Sequence, residues 1–470
     1  VAAPAPVWCH DERVTDPLAA MWRPPASLSA RLEQGRALRR RTPRRALAAS
    51  GTGPRDPVGI LERQNRTRLP ELVPLRTERM GADPFAFYRG TAALMAADLA
   101  DAPTSGIQVA SCGDAHVSNF GFYASPARRL VFDLNDFDEA AWAPWEWDLK
   151  RLVTSVVIAG RSSARDDVVV RDAARTAVLV YARALRAGVE SSPTARYYTH
   201  FSVETARATL DKASRRTLTA AIRDAQKRTG ERAARRTTET GADGRRRFVE
   251  NPPTMTHVEA EVVRDVQQHV ARYLDTTNVD IRMLMQNYTV ADVARRVVGV
   301  GSVGTRCYLI VFQDGDENAL LLQAKQASQS VLVEHGRMTQ PDVVAEYTAA
   351  HGQGGRVVAL QRILQAASDP FLGHFRSDTG FDLYVRQFHD MKGGIDMATL
   401  EDVPFTRYAQ ACAAVLARAH AQSPSAAVAS GYLGRGRAAA EPLLEWAYTY
   451  ADLSRADYDA FCAASGRPGR

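Results

Sequence analysis

Apolar residues recur along this chain at two different spacings. From Trp147 to about Ala187 they return at helical intervals, with Leu149, Leu152, Val153 and Val156 falling on one side, which predicts helix. Helical patterns also cover 58–100, around Asp83–Gly90 and the Ala-rich Thr91–Ala100, then a highly charged stretch over 205–235, and Tyr408–Ala421. Short unbroken apolar runs read instead as buried strands: Ile107–Ala110 and Leu130–Phe132 flank a polar loop. A second group of strands is predicted at Cys307–Phe312, Leu320–Lys325 and Leu383–Phe388, with a helix over Val357–Ala367 before the last of them. Turns at Gly241–Gly244 and Pro252-Pro253 separate the two groups.

The expected organisation is therefore α+β, rich in helix, in four segments. Residues 1–57 form a basic arm rich in Pro, Arg and Ala, and 58–254 a helical lobe. Residues 255–400 form a lobe with a glycine loop, and 401–470 are C-terminal helices that return to the first lobe. At 470 residues the chain exceeds what one hydrophobic core usually serves. Its 45% hydrophobic and 24% charged residues are those of a globular protein. No apolar run approaches the roughly 20 residues of a membrane span, so no membrane partner is expected. The start Val1–Pro6 lacks the basic and apolar regions of a signal peptide, and a cytoplasmic location is the expectation.

Five scattered cysteines (Cys9, Cys112, Cys307, Cys412, Cys462) fit neither a disulfide framework nor a zinc ribbon. Trp8-Cys9-His10-Asp11 has no second cluster to complete a four-ligand site. The net charge of +7 is concentrated in Arg36–Arg45. That run could grip phosphates, but no RNA-binding signature or helix-turn-helix accompanies it, which argues against nucleic acid. A solvated basic helix end, or an arm over a phosphate-bearing substrate, explains it equally well.

Three segments carry candidate chemistry. Gly113-Asp114-Ala115-His116-Val117-Ser118-Asn119 offers a carboxylate and, five residues on, an amide. Phosphoryl transfer needs a carboxylate to take the acceptor proton and hard oxygen ligands for Mg²⁺. Asp114 is the candidate base and Asn119 a candidate metal ligand. The run Asp133-Leu134-Asn135-Asp136-Phe137-Asp138-Glu139 follows the strand Leu130–Phe132. Its carboxylates would repel one another without a cation among them. Asp133 and Asp136 are both candidate metal ligands, and the sequence does not choose between them. Further on, Gly299-Val300-Gly301-Ser302-Val303-Gly304 is followed by a strand rather than a helix. A dinucleotide site requires a helix there, so the order suits a hairpin flap over nucleotide phosphates. Gly299, Gly301, Ser302 and Gly304 are therefore candidate nucleotide contacts, together with Lys325 at the end of the third strand. A glutamate partner for Lys325 stays open among Glu334 and Glu346, with Gln361 on the later helix.

In protein kinases the glycine loop and lysine precede the Asp…Asn loop and the metal aspartate; here they follow them. Asp136-Phe137-Asp138-Glu139-Ala140 with Asp148-Leu149 resembles the pattern of aminoglycoside-type phosphotransferases. Val415–His420 resembles the helix that such enzymes place before their catalytic loop. The chain resembles an uncharacterised bacterial family known as domain-of-unknown-function 2252. The resemblance rests on Phe85–Gly90, Gly113–Gly121, Phe132–Glu139, Trp147–Arg151, Val298–Tyr308, Gln323–Lys325, Leu364–Asp369 and Tyr384–Gln387. It runs from about 55 to 455 and implies a two-lobed protein-kinase-like fold that uses a nucleotide; the motif order predicts that this fold is circularly permuted, and the candidate residues predict ATP and Mg²⁺ as cofactors.

The functional expectation is a Mg-ATP-dependent phosphotransferase acting on a small-molecule acceptor. Arg89 and His116 are candidates for contacting that acceptor, which would be anionic if Arg89 does so. A ligase or nucleotidyl transferase on the same scaffold, or a non-catalytic nucleotide-binding module, are the alternatives.

Overall fold

The computed structural model describes residues 24–466, apart from 202, 204–206, 208, 209, 259 and 389. The Trp8–Asp11 cluster lies outside the described residues. The strands are β1 (Gln108–Ser111), β2 (Phe120–Ala124), β3 (Leu130–Leu134), β4 (Ala141–Pro144), β5 (Thr238–Thr240), β6 (Arg246–Phe248), β7 (Met255–His257), β8 (Thr289–Arg296), β9 (Cys307–Gln313), β10 (Ala319–Gln326), β11 (Gly373–Arg376) and β12 (Asp382–Gln387). Six of them form one antiparallel sheet in the order β11-β12-β10-β9-β8-β7. The others form two-stranded ribbons: β1 with β4, β2 with β3, and β5 with β6. The protein is thus α+β and dominated by helix.

Strand alternation divides the large sheet into two functional faces. Ile310, Phe312, Leu322, Ala324, Leu383 and Val385 pack on one side with Val266, Tyr273, Ile281 and Met285 from the helices Ala260–Asp275 and Val279–Met285. The intervening Gln323, Lys325, Tyr384 and Arg386 must therefore point the other way, toward the helical body. That body is the larger core. Its central helix, Trp145–Ser162, buries Leu149, Leu152, Val153 and Val156 completely. Replacing Leu152 by Ala would cost about 2–5 kcal/mol through lost burial and the cavity left behind.

The helical prediction over 147–187 divides into Trp145–Ser162 and Asp167–Glu190. The helix expected from Val357 belongs to a longer element, Asp342–Leu364, kinked at Gly352 (φ 68°, ψ −176°). Asp382 Oδ2 accepts the Gln353 N–H at 2.8 Å and caps the second half. In the basic run at Arg36–Arg45, Arg36, Arg40, Arg41 and Arg45 are exposed, while Arg39 and Arg44 turn partly inward. Arg39 donates to the carbonyls of Tyr432 (2.8 Å) and Gly431 (2.5 Å), and Arg44 to that of Leu433 (3.4 Å). These guanidiniums cap the C-terminal end of the helix Ala426–Leu433, where unsatisfied carbonyls and the helix dipole attract cations. The helix Asp402–His420 ends beside β1: Ser423 Oγ accepts the Ala110 N–H at 2.9 Å, and Ser425 Oγ donates to the Gln108 carbonyl. No helix among the described residues is long and apolar enough to cross a membrane.

Candidate functional site

The Asp114 loop is built on the first turns of the helix Trp145–Ser162. Asp148 accepts the N–H groups of Cys112 (2.8 Å) and Gly113 (3.0 Å), and its Oδ2 lies 3.1 Å from His420 Nε2. Tyr181 Oη stands 2.7 Å from the other ring nitrogen of His420. Three residues further along the same helix face, Arg151 Nε donates to Asp114 Oδ1 at 2.5 Å. Gly113 sits at φ +78°, and a Cβ there would lie 2.2 Å from the Glu139 carbonyl oxygen. Only glycine fits that approach. Asn119 closes the loop by donating from Nδ2 to the Asp114 carbonyl at 2.8 Å.

Asp114 is partly exposed, with its second oxygen 3.6 Å from His116 Nε2. Burial pushes its carboxyl above the usual range, and Arg151 opposes that rise. His116 itself is buried and packs edge-on against Phe85. Burial, reinforced by Arg89 and Arg151, holds its pKa well below normal.

The β2–β3 ribbon sets the acidic run. Asp133 lies inside β3 with its side chain turned inward. Its two oxygens accept the N–H groups of Ala366 (2.7 Å) and Leu134 (2.8 Å). Asp133, a candidate metal ligand from sequence, thus has both oxygens engaged by backbone and does not line the cleft described below. Asp136, three residues on, does reach it. The expected glutamate partner of Lys325 is instead an aspartate of the same run: Lys325 Nζ is 2.5 Å from Asp138 Oδ2, and Tyr384 Oη donates to Asp138 Oδ1 at 2.5 Å. Glu334 and Glu346 are exposed. Burial opposes the charge on Lys325, but Asp136 and Asp138 outweigh it and hold its pKa well above normal. Burial likewise works against Asp136, and Lys325, Arg386 and Lys392 overcome it and lower its pKa.

The glycine loop between β8 and β9 is fastened to the N-terminal segment. Leu69 N–H donates to the Gly304 carbonyl (2.8 Å), Arg79 to that of Gly299 (2.8 Å), and Arg68 to that of Val303. Gly304 has φ +90°, and the Arg68 side chain occupies the place a Cβ would take. Ser302 Oγ donates back to the Val298 carbonyl at 3.0 Å.

These elements enclose a cleft of about 590 Å³ between the sheet and the helical body. Of the residues nominated from sequence, Arg89, Asn119, Asp136, Gly299, Ser302 and Lys325 line it. Asp114, His116, Asp133, Gly301 and Gly304 do not, although Asn119 bonds the Asp114 carbonyl. Gln361, offered with the two glutamates as a partner for Lys325, lines it as well, and Gln323, Arg386 and Lys392 are among the lining residues to which the sequence reading gave no role. Strand alternation from Lys325 could have found Gln323, and Arg386 lies in the Tyr384–Gln387 motif without a role assigned to it; nothing in the sequence marks Lys392, and both arrive through β12 and the turn after it. Arg386 donates to Gln323 Oε1 and the Asn135 carbonyl, both at 3.2 Å. Burial, with Arg386 beside it, pushes Lys392 down to about 7. Buried Gln361 Oε1 has no hydrogen-bond partner. Among the described residues no group of three or more His, Cys, Asp or Glu is arranged to hold a metal.

Fold and site define a helix-rich α+β protein with a cationic cleft between an antiparallel sheet and a helical body. The chain belongs to the family described as "Uncharacterized protein conserved in bacteria (DUF2252)", which matches residues 68–464. No curated protein and no solved structure matches it.

Proposed function

We propose that this protein is a Mg-ATP-dependent phosphotransferase with a circularly permuted, two-lobed kinase-like fold and a small-molecule acceptor. The observation that carries the reading is the common lining of one cleft by Asn119 and Asp136 from one side and Gly299, Ser302 and Lys325 from the other. In sequence these two sets lie at opposite ends of the acidic-loop-to-glycine-loop order. The permuted arrangement is further supported by the helix Asp402–His420, whose last residue reaches Asp148 behind the Asp114 loop.

The cleft suits a nucleotide triphosphate with magnesium. Arg89, Lys325, Arg386 and Lys392 supply positive charge, of which only Lys325 is matched by a carboxylate ion pair among the described residues. Asn119 Oδ1 and the Asp136 carboxylate are hard oxygen donors of the kind Mg²⁺ takes alongside phosphate and water oxygens. Two protein donors fit an ion completed by substrate, as in other phosphate-handling sites. Bound there, the metal would neutralise developing phosphate charge.

The chain's own residues account for the rest. Arg151 fixes Asp114 through one oxygen; the other, 3.6 Å from His116 Nε2 on a partly exposed side chain beside the cleft-lining Asn119, would take an acceptor hydroxyl proton. Asp148 and His420 hold the loop backbone that carries Asp114. Lys325, oriented by Asp138 and Tyr384, presents its ammonium to the phosphates, and Ser302 with Gly299 closes over them. Calorimetry of ATP with and without Mg²⁺, followed by product analysis, tests the reading. Mg²⁺-dependent binding with ADP release is expected. AMP release would transfer the assignment to a ligase or nucleotidyl transferase, and saturable binding without turnover to a regulatory module.

A further inference from the structure

The cleft is lined by a guanidinium that forms no ion pair among the described residues. We propose that Arg89 binds a phosphoryl group where the N-terminal segment, the glycine loop and the Asp114 loop meet. This rests on the nucleotide reading of the cleft but makes a separate claim. The Arg89 side chain lines the cleft together with Ser118, Asn119, Gly299 and Ser302. Among the described residues it forms no ion pair, and its Nε is buried without a hydrogen-bond acceptor. An unsatisfied guanidinium N–H is costly inside a protein, and a planar fork of donors matches a phosphoryl group better than a hydroxyl.

The position of Arg89 is fixed from two sides. A Cβ on Gly301 would lie 3.3 Å from the Arg89 carbonyl oxygen, so the glycine loop packs directly on the Arg89 backbone. On the other side Arg151 donates both to the Tyr88 carbonyl (3.0 Å) and to Asp114 Oδ1 (2.5 Å). One guanidinium therefore holds the residue before Arg89 in register with the candidate base. Arg89 is also close enough to act electrostatically on both Asp114 and His116. A phosphoryl group at this point has two sources: the group being transferred from the nucleotide, or a phosphate already carried by the acceptor.

The test is calorimetric titration of inorganic phosphate into the full chain, alone, with Mg-ADP, and with Mg²⁺ and a non-hydrolysable ATP analogue. Wild type should bind phosphate, and Arg89→Ala should bind it about ten- to a hundredfold more weakly, the range for a hydrogen bond to a charged group. Arg89→Lys, which keeps charge but not the fork, should fall between them and decides the matter if the alanine variant does not fold. Phosphate binding that survives the ATP analogue identifies the acceptor's own phosphate; binding that the analogue excludes identifies the transferred group. Equal affinity in wild type and both variants, or no phosphate binding by wild type in any of the three states, overturns the proposal. Absence of heat from both nucleotides would instead overturn the nucleotide reading, while the nucleotide-free arm still judges Arg89.

Discussion

Replacing Arg151 by Met probes the electrostatics of the Asp114 loop without assuming any substrate. Arg151 is 3% exposed at its side chain and Asp114 21% exposed, so water screens their pairing little. The guanidinium also bonds the Tyr88 carbonyl and lies 4.5 Å over the Tyr88 ring. Removing one partner of such a buried pair leaves an uncompensated charge, at a cost of about 3–5 kcal/mol at neutral pH. The cost has a definite pH dependence. Asp114 already has a folded pKa raised above its unfolded value by burial. Its contribution to stability is thus complete below the unfolded pKa and declines as pH rises through the folded one. Loss of Arg151 raises the folded pKa further and extends that decline toward neutrality. Once pH falls below the variant's folded pKa, the penalty should shrink by up to about 1.4 kcal/mol per pH unit, until Asp114 is protonated in folded wild type as well. Urea unfolding at pH 7.5, 6.5 and 5.5 measures this, followed by the fluorescence of Trp142, Trp145, Trp147 and Trp446, all in the helical core. A penalty of the same size at all three pH values would show that only the uncharged contacts of Arg151 matter, and would refute the argument.

Four further outcomes are expected. Asp114→Asn should lower ATP turnover about 10²–10⁴-fold, the usual worth of a general base, while calorimetry shows ATP affinity nearly unchanged. Asp136→Ala should abolish the Mg²⁺ dependence of nucleotide binding, whereas Asp133→Ala should leave that dependence intact and lower the unfolding midpoint, because Asp133 holds the Ala366 N–H. Glu139, with a folded pKa raised from 4.5 to about 7 by burial, must lose stability as pH rises from 4.5 through 7. Glu139→Gln should therefore gain up to about 3 kcal/mol over wild type at pH 8 and nothing at pH 4, read by urea unfolding at the two pH values. Lys392, at about 7, should be acylated at pH 7.5 faster than the exposed Lys212 and be protected by Mg-ATP, with peptide mass spectrometry as the readout.

Much of the fold and part of the site were legible without coordinates. The strands β9 and β10 and the helix Asp402–His420 matched their apolar patterns, because each buries one well-marked face. Lys325, Asn119 and Asp136 could be nominated because their residue types and spacing suit phosphate and magnesium. The kink at Gly352 was not legible, since it depends on Asp382, thirty residues away in sequence, capping Gln353. The role of Arg36–Arg45 was hidden for the same reason: a basic run looks alike whether it meets solvent, phosphate or the carbonyl end of a distant helix.

By itself the sequence determined which segments are helix or strand, and which polar residues were available for chemistry, because periodicity and residue type act locally. The tertiary structure alone separated the placements of Asp133 and Asp136. Both follow the same apolar strand, but β3 turns the first toward Ala366 and delivers the second to the cleft. It also decided that the partner of Lys325 is Asp138 rather than a helix-borne glutamate, and it brought Arg386 and Lys392 beside them. Those outcomes depend on contacts between elements far apart in the chain, and no pattern within either element encodes the meeting.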